Sequence, residues 1–189
     1  MPLQDAHRWN SRYQEENRAS FGQPRPFLVE NAACLPSEGL ALDAAMGIGA
    51  NAAYLLGHGL RVIGVDISIV ALRRAKQQLP GLMAVLADLT RFHLPSNRFD
   101  LVVNFYYLQR DLWPAYYRAL RPGGLLIIET LTEAMHTIHP EISPAFLLQP
   151  GELRQAFSHM EILTYREGWL EQKGRHPRAV ASLIAQKRP

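Results

Sequence analysis

Two glycines and an aspartate stand where a chain could bind a nucleotide. Gly47 and Gly49 follow the apolar segment 39–44 directly and precede an alanine- and leucine-rich stretch that predicts a helix. Because glycine has no Cβ, the backbone can turn tightly there and come close to a ligand. Asp66 lies 17 residues after Gly49, at the end of the next apolar run, where a carboxylate can accept hydrogen bonds from both ribose hydroxyls. The spacing predicts a nucleotide or nucleoside site.

The kind of nucleotide is indicated by Asp43 and by the length of the chain. Residues 47–52 also satisfy the Gly-x-Gly-x-x-Ala fingerprint of NAD-binding folds, so an NAD-dependent oxidoreductase is an alternative. Asp43, at the end of the first predicted strand, would be a poor neighbour for a pyrophosphate but a good one for a cationic amino group. The 189 residues also leave no room for a dehydrogenase's substrate domain. Both features disfavour a dinucleotide.

The elements that must position these residues alternate in the pattern of a parallel sheet covered by helices. Apolar runs predict five strands, over residues 39–44, 61–65, 82–87, 99–105 and 125–130. Amphipathic stretches and capping residues predict helices over 5–17, from Pro26, through 52–56, from a Ser68 cap to Leu79, over 111–120 and over 152–157. We expect a turn at 121–124 and a loop at 131–149.

The last two apolar stretches, 160–171 and 179–186, are β-like and are separated only by a turn at 174–177. With no crossover helix between them, they should pair antiparallel. The predicted fold class is therefore α/β, a Rossmann-like, seven-stranded, mostly parallel sheet with helices on both faces and an antiparallel C-terminal hairpin.

Residues 42–55, together with 59–68, resemble the class I S-adenosylmethionine-dependent methyltransferases. Within this family they are most similar to the tellurite-resistance-like small methyltransferases, which often read D-x-A-x-G-x-G-x-N, as residues 43–51 do. The segments 120–124 and 146–153 resemble the family before its fifth strand and its last helix. The likeness covers roughly residues 38–189. It implies one domain, 1–189, with a helical cap over 1–36 and a Rossmann-like core over 37–189.

This chain differs from many members of the family at Ala45, where those members have glycine. Alanine adopts a positive φ only at a cost, so we expect the turn to differ slightly while binding is kept.

The resemblance implies S-adenosyl-L-methionine as the cofactor, with its contacts at the carboxyl ends of the strands. The implied contacts are Asp43, Gly47 and Gly49 on the methionyl part, Asp66 on the ribose, Ile67 and Leu89 beside the adenine, Asp88 on the adenine amino group, and Asn104 and Phe105 near the sulfonium.

Methyl transfer from a sulfonium is an in-line displacement, so the protein has mainly to align the two reactants and exclude water. Aromatic faces can stabilise the positive charge. Tyr106 and Tyr107, after the fourth strand, are candidates for this role, and Trp9 and Tyr13 could close over the site from the first helix. The alternative for each of these rings is packing between the helices and the sheet.

A base is needed only if the acceptor must lose a proton. His176, flanked by Arg175 and Arg178, is the candidate, because an imidazole can be neutral near pH 7. The alternative is that His176 is a solvated histidine in a turn, without a role in catalysis. Arg12 and Arg110 could bind an anionic acceptor or could simply be surface arginines.

Composition restricts the other function classes. Hydrophobic residues make up 48% of the chain and charged residues 20%, which argues against disorder. The single cysteine, Cys34, fits a reducing compartment, and no secretory signal or apolar run of about 18 residues is found, so we expect a cytoplasmic protein without a membrane span. Residues 133–141 contain two histidines and two glutamates, but their spacing matches no ligand set and no metal is predicted.

The leading hypothesis is methyl transfer to a small-molecule acceptor, such as a thiol, a chalcogen oxyanion or another small nucleophile. The net charge of +3 is scattered, so we do not expect a nucleic acid partner, although an RNA or protein methyltransferase is an alternative. A non-catalytic module that only binds the cofactor is another, and a closed cavity beside Phe105 would favour it. Nothing in the sequence indicates an oligomeric state.

Overall fold

The strands of the computed structural model, which describes residues 2–15, 22–171 and 176–189, form a single sheet. In chain order they are β1 (Leu40–Ala44), β2 (Arg61–Asp66), β3 (Met83–Leu86), β4 (Phe99–Phe105), β5 (Leu120–Leu131), β6 (Glu161–Leu170) and β7 (Arg178–Gln186). The order across the sheet is β3-β2-β1-β4-β5-β7-β6.

The first five strands pair in parallel, and β7 enters antiparallel between β5 and β6. The carboxyl ends of β1, β2, β3, β4 and β5 therefore meet at one edge of the sheet, where open α/β sheets bind their ligands. The predicted α/β fold class, with its seven strands and antiparallel C-terminal pair, is confirmed.

The helices are α1 (Pro2–Glu15), α2 (Pro26–Glu30), α3 (Ala50–Gly57), α4 (Ile69–Gln78), α5 (Trp113–Ala119) and α6 (Glu152–Ala156). The predicted cap of α4 is confirmed, because the Ser68 hydroxyl accepts a hydrogen bond from the Ala71 amide at 3.2 Å. Of the predicted first helix, residues 16 and 17 lie outside the described residues. None of the helices in the described parts of the chain combines the length and apolar character needed to cross a membrane.

Apolar side chains cover both faces of the sheet. One layer packs under α5 and α6 and contains the fully buried Tyr116 and Phe157. The other packs under α2, α3 and α4 and contains Phe27 and Leu55. Helices on both faces, as predicted, leave the carboxyl edge of the sheet for polar residues.

The segment 121–124 was predicted as a turn, and this prediction is wrong: these residues belong to β5. The Gly123 amide donates to the Lys187 carbonyl at 2.8 Å, and the Lys187 amide donates to the Gly124 carbonyl at 2.9 Å. The backbone groups expected to close a turn are therefore paired with the chain that leaves β7.

The predicted loop 131–149 contains two short 3-10 helices, Glu133–Thr137 and Pro144–Phe146. A bridge between Thr132 and Leu148 closes the base of this segment.

Candidate active site

The turn between β1 and α3 uses the left-handed region three times. The φ angles are 57° at Ala45, 59° at Gly47 and 82° at Gly49. The glycines adopt this conformation without cost, but a residue with a Cβ does so at about 1–2 kcal/mol. The backbone at Ala45 therefore adopts a conformation that glycine favours and that alanine adopts only at a cost.

Asp66, predicted to hold a ribose, also fixes this turn. Its Oδ2 accepts from the Gly47 amide and its Oδ1 from the Ser68 amide, both at 2.8 Å. Burial raises the pKa of Asp66, while the amides of Ser68, Gly47 and Ile67 oppose the rise. Because each carboxylate oxygen has two lone pairs, both oxygens can still accept from hydroxyl groups of a ligand.

Asp43 and Asn104 present buried oxygens that lack a hydrogen-bond partner among the described residues: Asp43 Oδ2 and Asn104 Oδ1. Both side chains are about 1% exposed. Burial, followed by the nearby charge of Asp66, raises the pKa of Asp43 to about 7. An unsatisfied buried acceptor costs free energy, and a cationic donor placed beside Asp43 would recover it.

The other predicted cofactor residues are placed as follows. Asp88 follows β3 on the same edge, and its Oδ1 accepts from the Thr90 amide at 2.9 Å and from the Thr90 hydroxyl at 2.7 Å. Ile67 is half-buried beside Asp66. Leu89 and Phe105 are buried in the apolar layers, Phe105 on the face of α2 to α4.

Helix α1 lies over the glycine turn. A Cβ added to Gly47 would lie 2.6 Å from the hydroxyl oxygen of Tyr13, which is itself buried. Asn10 Oδ1 accepts a 2.7 Å hydrogen bond from the Ser68 hydroxyl, which joins α1 to the start of α4. The ring of Trp9 stacks on Tyr13 at 5.9 Å, so the two predicted aromatic residues of α1 cover this part of the edge.

Tyr107, predicted to be catalytic, is partly buried on the side of Asp88. Burial raises its pKa to about 12, and the carboxylates of Asp88, Asp5 and Asp66 add to the rise. Its phenol is therefore held neutral, which suits a hydrogen-bond donor or an aromatic face and not a base.

A buried acid near the end of β5, Glu129, was not among the predicted site residues. Glu129 is 2% exposed and lies beside Ser182 of β7, which in turn lies beside Arg166 of β6. Glu129 Oε2 accepts from Ser182 Oγ at 2.7 Å and from Arg166 Nη2 at 3.3 Å. The signal was present, since a glutamate interrupts an otherwise apolar strand.

Tyr106 joins this acid to two further arginines. Its hydroxyl donates to Glu129 Oε1 at 3.1 Å, and the guanidinium carbons of Arg25 and Arg178 lie 4.4 and 5.2 Å from its ring centroid. Burial, with the charge of Glu129, raises the pKa of Tyr106. These groups line a cavity together with Pro26, Arg166, Leu170 and His176.

We call this cavity the arginine pocket. His176, the predicted base, is exposed at its rim, whereas its neighbour Arg175 lies outside the described residues. The cavity lies beside Tyr106, and Phe105 is buried in the core instead of facing it.

Other candidate residues have structural partners. Arg110, considered for an anionic acceptor, donates from Nη2 to Glu152 Oε2 and to the Leu147 carbonyl, both at 2.9 Å, so it anchors the segment before α6. Arg12 lies over the Trp9 ring at 5.1 Å. Within residues 2–15, 22–171 and 176–189 no three histidine, cysteine or acidic side chains cluster as metal ligands.

Comparison with known proteins finds similarity over part of the chain. Residues 41–124 match the family model of a methyltransferase domain. The chain is 36% identical to the malonyl-[acyl-carrier protein] O-methyltransferase of Enterobacter lignolyticus (strain SCF1) over 131 residues, which cover 60% of this chain and 52% of that protein. It is 27% identical to the 2-heptyl-1-hydroxyquinolin-4(1H)-one methyltransferase of Mycobacteroides abscessus over 151 residues, 74% of this chain and 66% of that one. The chain spans about half the length of the first relative.

The crystal structure of TehB from Haemophilus influenzae superposes with a TM-score of 0.75 at 18% identity, covering 93% of this chain and 65% of that chain. At this identity the likeness is one of fold. The chain therefore has the fold of the Rossmann-like methyltransferases, and its residues 41–124 carry the sequence of a methyltransferase domain.

Proposed function

We propose that this chain is an S-adenosylmethionine-dependent methyltransferase that acts on a small-molecule acceptor. The observation that carries the proposal is the buried, unpartnered Oδ2 of Asp43 at the end of β1, directly before the glycine turn. A dinucleotide would bring a pyrophosphate to this turn, next to a buried carboxyl group, whereas a methionyl ammonium group supplies the missing donor. The matched family model agrees with this choice.

The residues fit the cofactor as follows. Asp43 would hold the ammonium group, the Gly47 and Gly49 turn would admit the methionyl part, and Asp66 would hold the ribose. Asp88 with Ile67 and Leu89 would border the adenine, and Asn104 would lie near the sulfonium. When bound, S-adenosylmethionine supplies an electrophilic methyl group.

The chain's own residues would position the acceptor and exclude water. Tyr106, held between Glu129 and two arginines, and Tyr107, kept neutral, offer aromatic faces at the end of β4. His176 at the rim of the arginine pocket is the residue we propose as the base for an acceptor that must lose a proton.

Several finer assignments belong to the same proposal. Residues 37–189 would form the catalytic core and residues 1–36 a helical cap of one domain, since α1 is bonded to α4 through Asn10 and Ser68. The motif over 43–51 favours the tellurite-resistance-like group. A lone cysteine, Cys34, fits action in the cytoplasm.

The test is turnover. The protein is incubated with S-adenosylmethionine and pooled thiols, chalcogen oxyanions, carboxylates and phenols, and S-adenosylhomocysteine is measured by mass spectrometry. We expect product from the wild type and from Asp111→Asn, a control at an exposed carboxylate, but not from Asp43→Asn. Cofactor binding without product in any pool would favour the non-catalytic module, and product only with added RNA or protein would favour a macromolecular acceptor.

A further inference from the structure

The arginine pocket contains charged and stacked side chains that have no role in the proposed cofactor site. We propose that Arg25, Arg166 and Arg178 bind an oxyanionic group of the methyl acceptor, a carboxylate or a phosphate, an inference that rests on the methyltransferase function proposed above. The pocket thereby defines the substrate class as small anionic molecules.

The charges around the pocket favour an anion. Three guanidinium groups and one carboxylate, that of Glu129, line the pocket. Arg166 bonds Glu129 and, outside the lining, Glu30. A guanidinium has five N–H donors in a planar fork that matches the two oxygens of a carboxylate or phosphate, so one arginine can hold an acid of the protein and still bind an anionic ligand.

The Tyr106 ring holds two of the arginines in place. Arg25 and Arg178 both lie over it, within 5.2 Å of its centroid. An aromatic face attracts a guanidinium and accepts few of its hydrogen bonds, so stacking orders the group without using all its donors. Ordered guanidinium groups lose less entropy when an anion binds.

The backbone at Tyr106 gives an independent sign of function. Its φ is +58°, a conformation that a bulky side chain adopts only at a cost, and its amide donates to the Glu129 carbonyl at 2.8 Å. Such strain persists where the rest of the structure enforces it, most often at functional sites. Here it occurs directly after β4, at the residue whose ring lies against Arg25 and Arg178.

The pocket adjoins the proposed cofactor site. Tyr106 is the second residue after Asn104, and the Arg25 amide donates to Asn51 Oδ1 in the first turn of α3 at 2.9 Å. The charge of Arg25 also acts on Asp43. An anion bound by these arginines would therefore hold the rest of the acceptor next to the methyl donor.

The experiment uses the protein saturated with S-adenosylhomocysteine and titrated by calorimetry at constant ionic strength. The probes are succinate, inorganic phosphate and the neutral succinamide. Arg178→Gln removes one guanidinium of the pocket. Arg154→Gln is the matched control, since Arg154 also lies over a tyrosine ring, that of Tyr165 at 5.7 Å, but outside the pocket.

We expect at least one anion to bind and succinamide not to bind, and whichever anion binds more tightly identifies the group. Arg178→Gln should weaken anion binding at least about tenfold, and Arg154→Gln should not. The inference is overturned if S-adenosylhomocysteine binds but neither anion does, or if Arg178→Gln binds the anion as the wild type does. Failure of the wild type to bind S-adenosylhomocysteine would instead contradict the proposed function.

Should Arg178→Gln fail to fold, Arg178→Lys serves in its place. It keeps the charge and loses the planar fork, so we expect a smaller but measurable loss of anion affinity with unchanged affinity for S-adenosylhomocysteine. Unchanged anion affinity in Arg178→Lys would count against the inference.

Discussion

The Gly47 amide donates a 2.8 Å hydrogen bond to Oδ2 of Asp66, across the gap between the first turn and the end of β2. One carboxylate thus shapes the turn, and it is the group that we propose would hold the ribose. The Ser68 amide bonds the other oxygen, so the start of α4 is fixed to the same group. Loss of this carboxylate should therefore disturb both folding and binding.

Asp66→Asn tests this double role. The amide side chain can offer an oxygen to only one of the two backbone donors and turns an N–H group toward the other. We expect a loss of about 1–3 kcal/mol in the free energy of unfolding. Urea titration measures the stability, and calorimetry measures S-adenosylmethionine binding, which should weaken at least about tenfold. Wild-type stability and affinity in Asp66→Asn would contradict the account, and Asp111→Asn is the control.

Because the pKa of Asp43 is raised in the folded protein, we expect the free energy of unfolding to depend on pH. Burial and the charge of Asp66 raise its pKa to about 7, above the value in the unfolded chain. The folded state therefore holds the extra proton between about pH 4 and 7, and the Asp43 contribution to the free energy of unfolding falls as the pH rises through that window. Since Asp43→Asn lacks this titration, its stability relative to the wild type should increase from pH 4 to 7 and then level off. A constant difference across this window would be the contrary result.

The same group predicts a pH dependence of cofactor binding. A cationic ligand favours the ionised carboxylate, so affinity for S-adenosylmethionine should fall as the pH drops below about 7. Calorimetry at pH 6 and 8 measures this, and Asp43→Asn controls for the titration of the ligand itself. A wild-type profile that parallels the variant's would show that Asp43 does not contact the cation.

Ala45→Gly should relieve strain in the turn. The αL conformation of Ala45 costs about 1–2 kcal/mol, which glycine would relieve. Because glycine also gives the unfolded chain more conformational entropy, about 0.4–1 kcal/mol of this gain is lost again. We expect Ala45→Gly to be neutral or up to about 1 kcal/mol more stable in urea titration. Ala44→Gly, one residue earlier in the buried strand β1, should instead destabilise. Equal losses in the two variants would refute the strain at Ala45.

The contact between α1 and the turn can be tested with Gly47→Ala. The new Cβ meets the Tyr13 hydroxyl at 2.6 Å and sits at a φ of +59°, so we expect about 1–3 kcal/mol of destabilisation and weaker cofactor binding. Tyr13→Phe removes the oxygen, and in the double variant part of the loss should be recovered. The coupling, measured in a double-mutant cycle, should be at least about 0.5 kcal/mol. Additive losses would mean that α1 does not cover Gly47.

Local signals made the first half of the fold predictable. The β1–turn–α3–β2 unit and the Ser68 cap follow from an apolar run, glycines and a capping residue that lie close together in sequence. The prediction of a turn at 121–124 was wrong because Pro122 and the two glycines that follow it usually mark a turn. Here, hydrogen bonds with Lys187 hold this segment in the sheet. That pairing is not encoded locally.

The arginine pocket could not be derived in the same way. Arg25, Glu129, Arg166 and Arg178 come from four separate segments. They meet because β7 enters between β5 and β6 in a register that sets Ser182 beside both Glu129 and Arg166. Strand order and register depend on long-range packing, which a single sequence does not reveal.

The most direct test of the central claim is a calorimetric titration of the wild-type protein with S-adenosylmethionine, S-adenosylhomocysteine and NAD. We predict that the two adenosyl ligands bind with dissociation constants on the order of micromolar and that NAD does not bind. Binding of NAD, or of neither adenosyl ligand, would contradict the proposed cofactor and every residue role built on it.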